Sequence, residues 1–286
     1  TFMQSPHFPD WDLTVLEETY EHIDLLSLHS YFSRSAGDIK DYLAKSLDMA
    51  SFIKSIVCAC DTIKAKKRSK KQVNISFDEW NVWTNTVGEE NAISGFPVSP
   101  PILQEVFTMA DALMVGCLLI TLLKHADRVK IACLAQLVNV LAPIMAEPSG
   151  KVWRQTTFYP FSHVSNFAKG VVLNSIIDCP AYDTKNHEKV PYLECAVTYN
   201  QENGNIVIFA VNRSDDQNIE LSMDLRDFPA VSPQSHIELS HPNLDVANTM
   251  DHPSEVEPKS KPLPKRISDS LVIGLSPLSW NVITLT

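Results

Sequence analysis

The pattern of apolar and polar positions divides the chain into two parts near residue 170. In the first part, helical patterns with apolar residues every three or four positions alternate with short apolar runs. This alternation is typical of strand–helix units in an α/β domain. In the second part, short alternating runs follow one another between turn residues. The pattern therefore predicts an α/β domain over residues 1–170 and an all-β domain, a β-sandwich, over residues 171–286.

The first part contains three predicted strands, at residues 23–32, 73–80 and 129–138. Helices are predicted at residues 12–22, 39–68, 102–126 and 154–170, the last with Gly170 as its stop. Three strand–helix units are too few for a (β/α)8 barrel, which takes about 250 residues, and too few for an open doubly wound sheet. Either the domain is small and unusual, or the chain begins partway through a larger one.

The second part predicts a sandwich of about seven strands. The clearest runs are at residues 171–177, 192–200, 205–214 and 218–225, with two more within residues 270–286. Asn203-Gly204 is a hairpin signal between two of these runs. Residues 252–266 are proline-rich and charged, and we expect a surface loop there because strands follow.

Charge and composition exclude several classes of function. The formal net charge of -10 disfavours a surface for nucleic acid or for an anionic membrane, and the basic run at residues 64–71 is predicted to be a solvated helix end. No apolar stretch reaches the 18 or so residues that a membrane span needs. The six cysteines are mostly flanked by apolar residues, so we expect buried free thiols, which favour the cytoplasm.

The stretch NISFDEWNVW, residues 74–83, carries the candidate chemistry. Asp78 and Glu79 lie at the predicted carboxyl end of a parallel strand, where α/β folds place their sites. Strand alternation puts Glu79 on the face of Phe77 and Asp78 on the opposite face. These acids could instead cap the next helix or bind loop amides. Trp83 behind them suits a sugar ring, although a core position is equally compatible.

Longer motifs carry a family resemblance that covers essentially the whole chain. The motifs are IDLLSLHSYF, NISFDEWNVW, CLAQLVNVLAPIMAE and RQTTFYPF, followed by HPNLDVANTMDHPSEVEP and LSWNVI near the end. In this order they closely resemble the α-L-arabinofuranosidases of glycoside hydrolase family 51. The resemblance implies the C-terminal part of a (β/α)8 TIM barrel over residues 1–170 and a jelly-roll-like β-sandwich over residues 171–286. It also implies retaining, exo-acting release of terminal arabinofuranosyl groups.

The resemblance assigns roles to four residues. Glu79 matches the family's catalytic nucleophile at the end of barrel strand seven, and it would attack the anomeric carbon as a carboxylate. Tyr31 matches a tyrosine beside the nucleophile, although it could be a barrel-core residue bonded to the backbone. Gln136 matches a glutamine that hydrogen-bonds the sugar, and Trp83 matches a tryptophan that walls the pocket.

Two neighbours of these residues are given structural roles. His29 precedes Tyr31 on the same face, and we expect a satisfied core histidine. Asp78 is also assigned to structure.

The family's general acid/base, a glutamate that follows an asparagine on strand four, has no match. Asn186-His187-Glu188 lies in the sandwich part, and Glu90-Asn91 has the reverse order. Strands one to five are expected before Thr1. Retaining hydrolysis needs two carboxyl groups about 5–5.5 Å apart, so we expect the chain alone to be inactive or nearly so.

The resemblance implies an arabinose-containing oligo- or polysaccharide as substrate and a homo-oligomer for the full-length enzyme. It implies no metal and no cofactor, and neither nucleic acid nor membrane is an expected partner. The alternative function is a non-catalytic carbohydrate-binding or assembly module formed by the sandwich. Such modules display aromatic side chains on one face, whereas Trp280 lies in an alternating apolar strand and is expected in the core.

Overall fold

A computed structural model describes residues 2–3, 5–34, 38–84, 95–96, 98, 103–148 and 150–286. Its helices are α1 Asp10–Thr19, α2 Ile39–Ala44, α3 Ser46–Lys67, α4 Met109–Lys124 and α5 Phe158–Phe167. Its first strands are β1 Leu25–Phe32, β2 Asn74–Val82, β3 Val129–Leu134, β4 Ile144–Ala146, β5 Val152–Arg154, β6 Val171–Leu173, β7 Ala181–Tyr182 and β8 Val190–Pro191. The remaining strands are β9 Leu193–Tyr199, β10 Ile206–Asn212, β11 Ile219–Asp224, β12 Pro233–Leu239, β13 Lys259–Ser260, β14 Lys265–Ile267, β15 Ser270–Leu275 and β16 Ser279–Leu285.

The three strands predicted in the first part form one parallel sheet in the order β1-β2-β3. Helix α3 connects the first pair and α4 connects the second, as expected for successive strand–helix units. Phe77 of β2 packs edge-on against Phe52 of α3, with ring centroids 6.0 Å apart. The parallel direction places the carboxyl ends of all three strands at one edge of the sheet.

Two predicted helices begin or break at positions that the apolar pattern did not reveal. The helix predicted at residues 39–68 is split at Lys45 into α2 and α3. The helix predicted at residues 102–126 begins only at Met109, because the backbone N–H of Thr108 donates to the Asp111 carboxylate at 2.7 Å. This capping box fixes the first turn.

The basic run at residues 64–71 is a solvated helix end, as predicted. Helix α3 ends in it, and Arg68 takes a left-handed conformation with φ of 52°. Lys66 forms an ion pair with Glu17 at 2.6 Å on the surface.

Two antiparallel sheets make the sandwich, with strand orders β13-β12-β16-β10-β9-β6 and β11-β15-β14. The larger sheet has six strands and the smaller has three, more than the seven expected. The principal strand missing from the prediction is β12. Its segment PQSHIEL has three consecutive polar residues at positions 234–236, and the polar His236 and Glu238 are buried in it. The hairpin predicted at Asn203-Gly204 joins β9 to β10, which pair antiparallel.

The central strands β10 and β16 of the six-stranded sheet are buried on both faces. In β10, Val207, Phe209 and Val211 face α4 and belong to the helical core. The alternate residues Ile206 and Ile208 face the smaller sheet and belong to a second core. Burial on both sides explains why β10 reads as a continuous apolar run rather than an alternating one.

Trp280 of β16 is a core residue, as predicted. Its ring stacks on Phe209 with centroids 5.9 Å apart, and its indole N–H donates to His163 Nδ1 at 3.0 Å. Burial lowers the pKa of His163 to about 4, so this imidazole is neutral and can accept the bond. The bond ties α5 to the sheet.

The cysteines are free, but not all are buried. Cys60, Cys117 and Cys195 are buried, whereas Cys179 is half-buried and Cys58 and Cys133 are exposed, so the expectation of burial is wrong for these three. Within the described ranges, no helix is both long and apolar enough to cross a bilayer.

Two glycines with positive φ offer a matched test of backbone crowding. Gly170, after α5, has φ of +84°, and a Cβ there would lie 2.1 Å from the carbonyl oxygen of Tyr199. Gly204 has φ of +76° with open space around it. We expect Gly204→Ala to cost about 1–2 kcal/mol for the left-handed conformation. Gly170→Ala should cost about 1 kcal/mol more, because backbone must also move.

Urea unfolding of both variants and the unmodified chain measures these differences. Equal losses in the two variants would show that the backbone around Tyr199 yields freely.

Candidate active site

The candidate site lies at the carboxyl end of β2, where the strand contains a bulge. Ser27 of β1 pairs with Ser76 of β2, whereas His29 pairs with Glu79. Two residues of β1 therefore match three residues of β2, and the extra residue breaks the alternation. The prediction that Asp78 and Glu79 occupy opposite faces is wrong for this reason. Both carboxylates contact His29.

Side chains from β1 lie close to both carboxylate oxygens of Glu79. The Tyr31 hydroxyl donates to Oε1 at 2.8 Å, and His29 Nδ1 lies 3.4 Å from Oε2. Burial and, secondarily, the hydrogen bond to Glu79 raise the pKa of Tyr31 well above its usual range. Tyr31 thus keeps its proton and remains a donor. The hydroxyl of Tyr31 thus bonds a side chain, and not the backbone as in the alternative of a barrel-core tyrosine.

Asp78 forms the second half of the cluster. Its Oδ1 accepts a hydrogen bond from the Ser27 hydroxyl at 2.7 Å and lies 3.2 Å from His29 Nε2. Burial by itself would raise the pKa of Asp78. The hydrogen bonds, first that from Ser27, and the nearby His29 outweigh burial and lower it. Asp78 is therefore ionised at neutral pH.

His29 belongs to this cluster rather than to the core, contrary to the expectation from sequence. Its side chain is 37% exposed, close to the values of 39% for Asp78 and 41% for Glu79. It lies on the same face of β1 as Tyr31 because the two residues are two positions apart in a strand. The open face of the sheet thus presents an imidazole, a phenol and two carboxylates.

Trp83 and Gln136 lie around the same edge of the sheet. The Trp83 ring meets Tyr31 edge-on, with centroids 5.5 Å apart, and is 37% exposed. Gln136 is also exposed. It follows Ala135, whose N–H donates to the Trp80 carbonyl at 3.1 Å. Tyr31 thus contacts both Glu79 and Trp83, and the exposed Gln136 follows the loop residue Ala135 at the same edge.

Sequence reasoning missed Asn81, which supports the loop that carries Gln136. Its buried side-chain amide donates to the carbonyl oxygens of Ala135 and Leu141, both at 2.6 Å. The amide thereby anchors the loop after β3 to the end of β2. Its position two residues after Glu79 in the same strand was the sequence feature that could have indicated this role.

A second carboxyl group suited to general acid/base work is not evident in the parts of the chain that the structure describes. Asp78 is adjacent to Glu79 and bonded to Ser27 and His29. Asn186, which precedes His187-Glu188 in the sandwich part, donates hydrogen bonds from its amide to the Asp41 carboxylate. Glu90-Asn91 lies outside the described residues. Among the residues that the structure describes, no group of three or more His, Cys, Asp or Glu side chains could hold a metal ion.

Sequence comparisons with known proteins find α-L-arabinofuranosidases. The family described as Alpha-L-arabinofuranosidase C-terminal domain matches residues 78–279. An intracellular exo-alpha-(1->5)-L-arabinofuranosidase of Halalkalibacterium halodurans is 45% identical over 284 residues, which cover 97% of this chain and 55% of that protein. A Bacillus subtilis protein named intracellular exo-alpha-(1->5)-L-arabinofuranosidase 1 is 45% identical over 280 residues, with coverage of 98% and 56%.

Solved structures show the same relationship. A family 51 alpha-L-arabinofuranosidase from Bifidobacterium longum superposes with a TM-score of 0.91 at 35% identity, over 99% of this chain and 57% of that one. An arabinose complex of the Thermotoga maritima alpha-L-arabinofuranosidase gives a TM-score of 0.81 at 24% identity, a likeness of fold. The chain spans about half the length of the relatives it matches.

Proposed function

This chain belongs to the α-L-arabinofuranosidases of glycoside hydrolase family 51, and from that premise we propose that it carries the nucleophile side of a retaining, exo-acting α-L-arabinofuranosidase site. The fold is the C-terminal part of a (β/α)8 barrel followed by a β-sandwich. The observation that carries the proposal is the bond from Tyr31 to Glu79, 2.8 Å long, at the carboxyl end of a parallel strand. This hydrogen bond orients the Glu79 carboxylate at the open face of the sheet beside Trp83.

The reaction proceeds in two displacements at the anomeric carbon. An oxygen of Glu79 forms a bond to that carbon while the bond to the leaving oxygen breaks, and an acid protonates the leaving oxygen. Water then attacks the glycosyl-enzyme, the same group takes the proton of water as a base, and Glu79 leaves as a carboxylate. Two inversions give net retention.

The substrate is a terminal arabinofuranosyl group of an arabinan, an arabinoxylan or a short arabino-oligosaccharide. Trp83 forms a wall for the sugar ring, and the amide of Gln136 hydrogen-bonds its hydroxyl groups. Two relatives that are 45% identical carry the word intracellular in their names, which supports an intracellular site of action. The homo-oligomer expected from the resemblance stays a prediction.

The general acid/base lies outside these 286 residues. Support comes from the lack of a suitable second carboxyl in the described part of the site and from the relatives' greater length. The test compares the purified chain with a fusion that adds the unmatched N-terminal portion of the Bacillus subtilis relative. We expect hydrolysis of an aryl α-L-arabinofuranoside by the fusion and none by the chain. Turnover by the chain alone that disappears in Glu79→Ala would overturn the proposal.

Tyr31→Phe tests the support of Glu79 with a minimal change. The variant removes one hydroxyl and leaves the ring that packs on Trp83. A hydrogen bond to a charged group contributes about 1.5–3 kcal/mol, so we expect kcat of the fusion to fall about 10- to 150-fold. Steady-state kinetics with the aryl arabinofuranoside measures the loss. An unchanged kcat would show that the hydroxyl does not orient the nucleophile.

The alternative of a carbohydrate-binding module gains no support from the sandwich. Its aromatic residues are buried or half-buried, and none is exposed: Tyr182, Tyr192, Tyr199, Phe209, Phe228 and Trp280. A binding face of stacked sugars needs such rings at the surface. Retardation of the chain on an arabinoxylan affinity gel, undiminished by Trp83→Ala, would revive that alternative.

A further inference from the structure

The hydrogen bonds around Asp78 determine where the proton of His29 lies. The Ser27 hydroxyl has a single hydrogen, and this hydrogen is donated to Asp78 at 2.7 Å. The oxygen of Ser27 can therefore only accept from His29 Nε2, which lies 3.2 Å away. Asp78 Oδ1, also 3.2 Å from Nε2, is an acceptor as well. Both neighbours of Nε2 thus require a proton on this nitrogen.

A proton fixed on Nε2 leaves Nδ1 to face Glu79. A neutral imidazole carries one proton, so with Nε2–H it presents a lone pair from Nδ1 to Glu79 Oε2 at 3.4 Å. An imidazolium instead donates Nδ1–H to that oxygen. Only the charged ring therefore completes the support of Glu79, with Tyr31 on Oε1 and His29 on Oε2.

We propose that Asp78 and Ser27 are positioning residues that act through His29, because they hold a proton on Nε2 and so make the donation from Nδ1 to Glu79 depend on the ring's second proton. The inference rests on the proposed role of Glu79 as nucleophile. It gives Asp78 a task in the site and explains why two adjacent acids occur at the end of β2. Neither residue touches the reacting atoms.

The proposal predicts a pH dependence with a definite sign. The donation to Glu79 exists while the ring carries two protons, and it disappears as the pH rises. Among the described residues, the titratable groups that face His29 are Asp78 and Glu79 of β2, while Tyr31 of its own strand contacts Glu79. Activity should therefore decline on the alkaline side.

The direct test reads the ring nitrogens of His29 by ¹⁵N NMR in the 286-residue chain, at a pH where the ring is neutral. We expect the proton on Nε2 in the unmodified chain. In Asp78→Asn the amide can donate to Nε2, and Glu79 then draws the proton to Nδ1. Glu79→Gln, the matched control, should keep it on Nε2. A proton that stays on Nε2 in Asp78→Asn overturns the proposal, whether or not Glu79 is the nucleophile.

The kinetic test uses the active fusion, which contains the whole site. Asp78→Asn should lower kcat about 10- to 100-fold with KM within about twofold, and Ser27→Ala should lower kcat less, because the carboxylate remains. A raised KM with unchanged kcat would place Asp78 against the substrate and overturn the proposal. Failure of the proposed function is distinguishable, because Glu79→Gln would then remain active.

Discussion

Glu79→Gln is expected to lower kcat for an aryl α-L-arabinofuranoside by about 10⁴-fold or more in the fusion that contains the whole site. The amide keeps the size of the side chain and can still bond Tyr31, but it cannot form the glycosyl-enzyme ester. Initial rates with an activated leaving group measure the loss. Mass spectrometry after reaction with a slowly turned-over arabinofuranosyl donor should find the sugar on the peptide that contains Glu79.

A matched control for this variant lies in the β9–β10 hairpin. Glu202 is exposed there, and Glu202→Gln removes the same charge far from the sheet edge. We expect its kcat to equal that of the unmodified fusion. If Glu79→Gln kept more than about 1% of the activity, another group would have to attack the sugar, and the assignment of Glu79 would be wrong.

Arg213→Met should cost about 3–5 kcal/mol of unfolding free energy, because it leaves a buried carboxylate without its main partner. The Arg213 guanidinium is fully buried and lies 2.8 Å from Glu194. It also donates to Ser46 at 2.7 Å and to the Pro191 carbonyl at 3.0 Å. Lys124 is the second partner of Glu194. Thermal unfolding should show a midpoint lower by about 10 °C.

Two further variants make this prediction specific. Arg226→Met removes an exposed arginine that pairs with Asp224, and we expect no change in its midpoint. The double variant Arg213→Met with Glu194→Met should be more stable than Arg213→Met alone, because it no longer buries a carboxylate that has lost its main partner. A double variant no more stable than the single one would mean that lost packing, rather than the loss of the ion pair with Glu194, causes the damage.

The pKa of Glu194 determines how the stability lost in Arg213→Met changes with pH. Burial by itself would raise its pKa, but Arg213 and then Lys124 outweigh burial and lower the pKa below its usual range. The pair therefore contributes stability fully above the unfolded carboxyl value of 4.5, and this contribution disappears as the pH falls through the lowered folded value. The difference between Arg213→Met and the unmodified chain should shrink in acid.

The fold could be predicted where burial matched the residue type. Strand β10 is apolar at every position but the last, so the continuous apolar run in the sequence predicts a strand there. Strand β12 could not be found in this way because two of its three buried residues, His236 and Glu238, are polar and pair with residues distant in sequence. His236 pairs with Asn281 at 2.9 Å, and Glu238 pairs with Lys261 at 3.2 Å. An apolar pattern has no means of showing a polar group that is buried with its partner.

The site was predicted in part, and the missing part has a geometric cause. The acids of β2 were recognised by their place at a strand end and by resemblance, but their orientation was not. A single extra residue between Ser76 and Glu79 reverses the side on which later residues lie, and alternation in one strand carries no record of it. His29 was misplaced for a related reason, because its partners are about fifty residues away in sequence and meet it only through the strand register.

The two-sided burial of strands β10 and β16 limits how this protein can be divided or recombined. A cut at residue 170 would separate the α/β pattern from the all-β pattern. It would also remove α4 from the face of the sheet that contains Phe209 and Trp280. Residues 171–286 alone would then expose a core surface to water and should aggregate rather than fold. An exchange of sandwiches between homologous enzymes would succeed only if α4 and α5 came from the same parent as β10 and β16. The segment that must be exchanged as one piece therefore includes α4 and α5 as well as the sandwich.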